Sequence, residues 1–264
     1  MGWKSRWNKP VASLLTTAVL SVQVLGGTLL GTLGVADKAA AADAPTIDLR
    51  LMSTTDVHTN VTGWDYFKNA PSTTVGLDKT ATLVTAARSE QPNNLLLDNG
   101  DLIQGTPLGT YIAKESGLMD PSSSSKLHPM IAAMNIMGYD AATYGNHEFN
   151  YGLEFLDRTV NGSGEPNTGA NFEYLNANIY KPDGVTNYFK PYTIIEKTLK
   201  DSNGVNQTVK VGLLGLVTPQ IMEWDKVNLE GKVITKDIAE TAEKFVPLMK
   251  TDGAQIIIAM AHTG

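Results

Sequence analysis

The 264-residue chain contains no cysteine. It therefore has no disulfide framework and no thiolate to offer a metal, so any metal must be held by His, Asp, Glu or Asn. Histidine is scarce as well: His58, His128, His147 and His262 are the whole supply. There is no surplus of basic charge either, the formal net charge being −6. That balance argues against a protein that coats nucleic acid, which needs a basic face. It leaves room for a site that binds one phosphate, because metal ions supply positive charge locally. Internal repeats are absent, and the only biased stretches are the N-terminal segment and a serine run at residues 122–125.

What the chain does have is 42% hydrophobic residues, enough to build one sizeable domain or two small ones. Lys4, Arg6 and Lys9 precede an uncharged stretch from Pro10 to Ala36, followed by small residues around Ala42-Asp43-Ala44. The pattern predicts a secretory signal peptide over residues 1–44 and a mature domain over 45–264. A membrane anchor needs a similar uncharged length, but the small-residue tail and the interrupting glycines favour cleavage. An exported protein is expected, secreted, extracellular or associated with the cell wall, or periplasmic in a Gram-negative cell. No membrane partner is expected beyond the signal segment.

Past Pro45 the hydrophobic period alternates between strand and helix. Ile47, Leu49 and Leu51 alternate with polar residues and lead to Asp56 and His58. A polar loop follows to about residue 76, then a helical pattern from Leu77 to Pro92. "NNLLLDNGD" reads as a buried strand ending in a turn at Asp98–Asp101. A helix is predicted from Pro129 to Gly138, a short strand into "GNHE", a helix from "YGLEFLDRTV" and a strand over "FEYLNANI". A hairpin turns at Asn203-Gly204. A last helix ends at Gly253, and the apolar strand "AQIIIAMA" ends at His262. This is an α/β order, with helices layered on sheets. Four strands end in polar residues, at Asp56/His58, Asp98–Asp101, Asn146/His147 and His262. The carboxyl ends of strands are where α/β folds gather ligands.

Each group also has a plainer reading. Asp56-x-His58 places an oxygen and a nitrogen donor on the same side of an extended segment, or it is an Asx turn beside a surface histidine. Asp101 after Gly100 is a carboxylate able to bridge two cations, or an ordinary turn aspartate. Asp98 suits holding its loop by hydrogen bonds. In Asn146-His147-Glu148 the neighbouring side chains diverge, so Asn146 can offer an oxygen to a metal while His147 stays free. The alternative is a capped turn with a solvent-facing histidine. His262 is either a ligand or a buried, hydrogen-bonded ring. His128, before the Pro129 helix, reads as a surface or capping residue.

Taken in order, "DVH", "GD", "GNHE" and a later strand-end His resemble the calcineurin-like metallophosphoesterases. "STTDVHTNVTGWDY", "LLLDNGDLIQGTPL" and "TYGNHEFNYGLEFL" resemble, within the 5′-nucleotidase family, the bacterial 2′,3′-cyclic-nucleotide 2′-phosphodiesterase/3′-nucleotidase branch. The resemblance implies an α/β double-sheet sandwich flanked by helices. It also implies a centre of two divalent metal ions, Mn, Zn or Co from the mixed N/O donors. By position, Asp56 and His58 would hold the first metal, Asp101 would bridge, Asn146 and His262 would hold the second, and His147 would face the substrate. The implied reaction is hydrolysis of a small-molecule nucleotide by in-line attack of a metal-held hydroxide, with no nucleic-acid polymer as partner. A 5′-nucleotidase or broader metallophosphatase is the alternative.

Two departures qualify the resemblance. Asn150 stands where related 5′-nucleotidases often carry an Asp three residues after the histidine; it can accept a hydrogen bond from the ring but brings no charge. The family's final Gly-His-x-His motif and its nucleotide-binding C-terminal domain are not among these residues. The domain is therefore expected to be C-terminally incomplete, an N-terminal fragment that by itself could be an inactive binding domain.

Overall fold

The computed structural model describes residues 19–23 and 44–264. The expected leader lies outside the described residues except for Val19–Gln23 and Ala44. The strands are β1 (Val19–Gln23), β2 (Thr46–Thr54), β3 (Trp64–Asp65), β4 (Ala70–Pro71), β5 (Asn94–Asp98), β6 (Ala141–Thr143), β7 (Glu173–Leu175), β8 (Ile179–Tyr180), β9 (Tyr192–Lys200), β10 (Asn206–Val217), β11 (Ile234–Thr235) and β12 (Ile256–His262). The helices are α1 (Leu77–Glu90), α2 (Pro107–Lys114), α3 (Pro129–Met137), α4 (Leu153–Asn161), α5 (Ile221–Trp224), α6 (Lys226–Leu229) and α7 (Ile238–Thr251).

Alternation along β2 sends Ile47, Leu49 and Leu51 to one face and Met52 to the other. In β5, Leu95 and Leu97 join the first face and Leu96 the second. All three leucines are fully buried, which is why this strand reads as a continuous apolar run. The first sheet has the order β1-β2-β5-β6-β7, parallel except for β1 on the edge of β2. The second has the order β12-β10-β9; β9 and β10 form the hairpin expected around Asn203-Gly204, and β12 runs parallel to β10.

The two sheets face each other. Ile47, Leu49, Leu95, Leu97 and Leu175 from the first pack with Leu199, Val211, Leu213, Ile256 and Met260 from the second. Outside the first sheet, α1 to α4 contribute Val84, Ile112, Met134 and Leu156 to a second core. Outside the second, Phe245 and Met249 of α7 cover Leu214 and Leu216. The layering is helix, sheet, sheet, helix, as the resemblance implied. Among the described residues, no helix is long and apolar enough to cross a membrane.

Several local expectations change. Helices α2, α5 and α6 were not foreseen, although Thr106-Pro107 is a normal helix start. "FEYLNANI" is not one strand: it splits into β7 and β8, which belong to different sheets. Asn176 causes the break, its side-chain oxygen accepting the N–H groups of Asn178 and Ile179 and bending the chain. His128 caps α3 by accepting from the Met130 N–H at 3.2 Å, as one reading allowed, but it is buried rather than on the surface.

Candidate metal centre

The carboxyl ends of β2, β5, β6 and β12 meet at one rim. Backbone hydrogen bonds join the first two loops there: Asp56 N–H to Gly100 O at 2.9 Å, His58 N–H to Asp101 O at 2.9 Å, and Thr59 N–H to Leu102 O at 2.8 Å. The pairing holds Asp56, His58, Thr59 and Asp101 at φ between 49° and 60°, so Asp56 and His58 lie past the end of β2 in left-handed backbone and not on the extended segment their spacing suggested. Non-glycine residues avoid this left-handed region, and such strain persists where surrounding structure enforces it, often at functional sites.

The loop after β6 packs against the loop after β5 through two glycines. A Cβ on Gly100 would lie 2.3 Å from the Gly145 nitrogen, and one on Gly145 would lie 2.3 Å from Asp101 Oδ1. Neither position tolerates a side chain, which gives "GD" and "GNH" a packing reason. The same approach lets Glu148 reach back. Fully buried, it accepts from the N–H groups of Asp101 (2.8 Å), Leu102 (2.6 Å), Ile103 (3.3 Å) and Gly145 (2.6 Å). Burial and the nearby Asp101 raise its pKa, against the pull of those donors. Sequence reasoning gave Glu148 no role; the one available signal was an acid set between a histidine and a phenylalanine. Asp98 does what the sequence suggested. Entirely buried, it accepts from the Gly100 N–H at 3.0 Å and from the Thr54 hydroxyl, and burial raises its pKa to about 7.

The predicted ligands converge. Donor atoms of Asp56, Asp101 and His262 lie within 4.8 Å of one another. His58 Nε2 is 3.7 Å from Asp56 Oδ1 and 3.9 Å from Asp101 Oδ2. His262 Nε2 is 3.3 Å from Asp101 Oδ2 and 3.1 Å from Asn146 Oδ1. Donors bound to one tetrahedral cation at zinc-like bond lengths sit about 3.4 Å apart, so these spacings fit. Both rings are also turned correctly. His58 Nδ1 is bonded to the Gln104 carbonyl at 2.8 Å and His262 Nδ1 to the Asn99 carbonyl at 2.8 Å, leaving each Nε2 facing the oxygens. The electrostatics agree. Burial alone would lower the His262 pKa, but Asp101, the Asn99 carbonyl and Asp56 raise it to about 9. A pocket that draws a proton onto a buried imidazole is one that calls for positive charge. The hard and borderline donors with no thiolate suit a divalent ion.

His147 sits beside this cluster. Its N–H donates to Asp101 Oδ1 at 2.7 Å, and its ring meets that of His58 edge to face with centroids 5.1 Å apart. Its Nδ1 is 2.7 Å from Asn150 Oδ1, the hydrogen bond the sequence anticipated.

Residues 49–264 match the family described as calcineurin-like phosphoesterase. The chain belongs to that family. The chain is 50% identical over 226 residues to the trifunctional nucleotide phosphoesterase protein YfkN of Bacillus subtilis, covering 86% of the chain but 15% of that protein. It is 47% identical over 237 residues to the 2′,3′-cyclic-nucleotide 2′-phosphodiesterase/3′-nucleotidase of Salmonella typhimurium, covering 90% of the chain and 34% of that enzyme. The crystal structure of YfkN superposes with a TM-score of 0.76 at 49% identity, over 83% of this chain and 63% of that one. The chain thus spans about a third or less of the length of these curated relatives.

Proposed function

We propose that residues 45–264 form the metal-dependent catalytic domain of an exported phosphoesterase that hydrolyses 2′,3′-cyclic nucleotides and 3′-nucleotides, with residues 1–44 as its leader. The observation that carries the reading is the single Asp101 carboxylate facing both His58 and His262. In this reading Asp56 and His58 hold one divalent ion, Asn146 and His262 hold a second, and Asp101 is shared. Bound ions of this kind would offset phosphoryl charge and activate the attacking water. Asp101 also ties the His147 backbone to the cluster. His147, with its Nδ1–H engaged by Asn150, would take up a second proton at Nε2 and, as the imidazolium, deliver that proton to the departing ribose oxygen. The choice of ester rests on the names of the relatives at 47–50% identity.

The test is a comparison of 2′,3′-cyclic AMP, 3′-AMP and 5′-AMP in the presence of Mn²⁺. Turnover of the first two is expected, and preference for 5′-AMP would overturn the assignment of ester. His147→Ala should lower turnover by roughly 10²–10⁴-fold, the scale of a general acid, while metal content stays unchanged. Full activity in that variant would remove His147 from the mechanism.

A further inference from the structure

The hydrogen bonding behind His147 does not stop at Asn150. Asn150 Nδ2 donates to Asp225 Oδ1 at 2.9 Å. Asp225 is 6% exposed and lies at the junction of α5 and α6. Three residues on, Asn228 Nδ2 donates to the carbonyls of Phe149 at 2.9 Å and Asn150 at 3.1 Å. The α5–α6 segment therefore grips both the backbone and the side chain of the turn that carries His147.

The two ends of an amide are alike in shape and opposite in hydrogen-bonding sense, so their orientation is decided by partners. A carboxylate only accepts. Asp225 therefore takes the NH₂ end of Asn150 and turns the amide oxygen toward the ring. That oxygen also only accepts, so Nδ1 of His147 must carry the hydrogen, and Nε2 becomes the free ring nitrogen. Without the carboxylate the amide is released to turn over and offer its NH₂ to a bare Nδ1.

We propose that Asp225 is a positioning residue that sets, through the Asn150 amide, the tautomer and tilt of the His147 ring. Its consequence for turnover rests on the role given to His147 above, but the relay itself is independent of catalysis. The decisive measurement is nuclear magnetic resonance of histidine ring nitrogens in the isotopically labelled full chain, chelator-treated, at mildly alkaline pH. Protonated and bare ring nitrogens resonate far apart. The expected result is His147 in the Nδ1–H form in the parent chain and a mixture of both tautomers in Asp225→Asn, which is isosteric but no longer dictates the amide's orientation. The double variant Asn150→Asp/Asp225→Asn exchanges carboxylate and amide, and should restore the Nδ1–H form because a pure acceptor then abuts the ring. An unchanged His147 tautomer in Asp225→Asn, with the His128 signals showing an intact fold, would overturn the proposal. So would a double variant that remains mixed. An active His147→Ala enzyme would defeat the catalytic reading and leave this one standing.

Discussion

Glu148→Gln is the substitution that most directly probes how the centre is assembled. The change is isosteric, so it opens no cavity, and its effect comes from hydrogen bonding alone. One carboxylate oxygen accepts from Asp101 and Gly145, the other from Leu102 and Ile103. Glutamine has one oxygen and one NH₂. Whichever way it is turned, the NH₂ faces two backbone N–H groups that then have no acceptor, in a place closed to water. Leaving a buried donor unsatisfied costs about 1–3 kcal/mol, so two of them cost about 2–6 kcal/mol. A domain of this size loses about 2–4 °C of melting temperature per kcal/mol. The expected fall is therefore roughly 5–20 °C by circular dichroism, with weaker metal retention after dialysis because the loops that carry Asp101 and Asn146 lose two of the four hydrogen bonds Glu148 accepts. A melting point within about 2 °C of the parent would refute the account of Glu148 as the group that holds the two loops together.

Three further expectations concern the same loops and the helix behind them. Gly145→Ala should lower metal affinity on the order of tenfold or more, as changes behind metal ligands do, since its Cβ would sit 2.5 Å from the Asp101 nitrogen; isothermal titration with Mn²⁺ would read it, and unchanged affinity would count against the close approach. Asp101→Asn should retain fewer than two metal equivalents on dialysis, and two retained equivalents would remove Asp101 as the shared ligand. For His128, burial lowers the pKa from 6.5 to about 4. Below pH 6.5 the unfolded chain binds a proton the folded chain refuses, so this contribution is intact above 6.5 and is lost as pH falls toward 4, by up to about 3 kcal/mol. His128→Asn, which keeps an acceptor for the Met130 N–H, should flatten the dependence of urea stability on pH across that window; an unaltered slope would show that His128 is not its source.

The candidate ligands were legible in the sequence because their signal is local. Asp56, Asp101 and Asn146 lie just past the ends of β2, β5 and β6, whose parallel pairing brings their carboxyl ends to one rim, while His262 ends β12 and reaches that rim from the second sheet. The double-sheet order was not local in this sense: β10 could have joined the first sheet until Ile47, Leu95 and Val211 were seen sharing one interior. The break in "FEYLNANI" was hidden for the same reason, since Asn176 fits a strand as well as a turn until Gly215 is placed beneath it, where a Cβ would lie 2.0 Å from the Leu175 oxygen.

The supporting residues were illegible because their partners are remote. Glu148 serves N–H groups 45 to 47 positions away as well as that of Gly145, and Asp225 serves an amide 75 positions away. Sequence reasoning did establish that Asn146 and His147 must diverge, because adjacent side chains cannot aim at one point. The structure extends that rule by one residue. Asn146 turns to His262, His147 to His58 and Asn150, and Glu148 to the backbone beneath both loops. Three consecutive polar residues thus divide the work of one turn, and the acid beside the histidine is an anchor rather than its proton partner. The carboxylate that does lie behind the histidine is Asp225, supplied from another part of the chain through an asparagine.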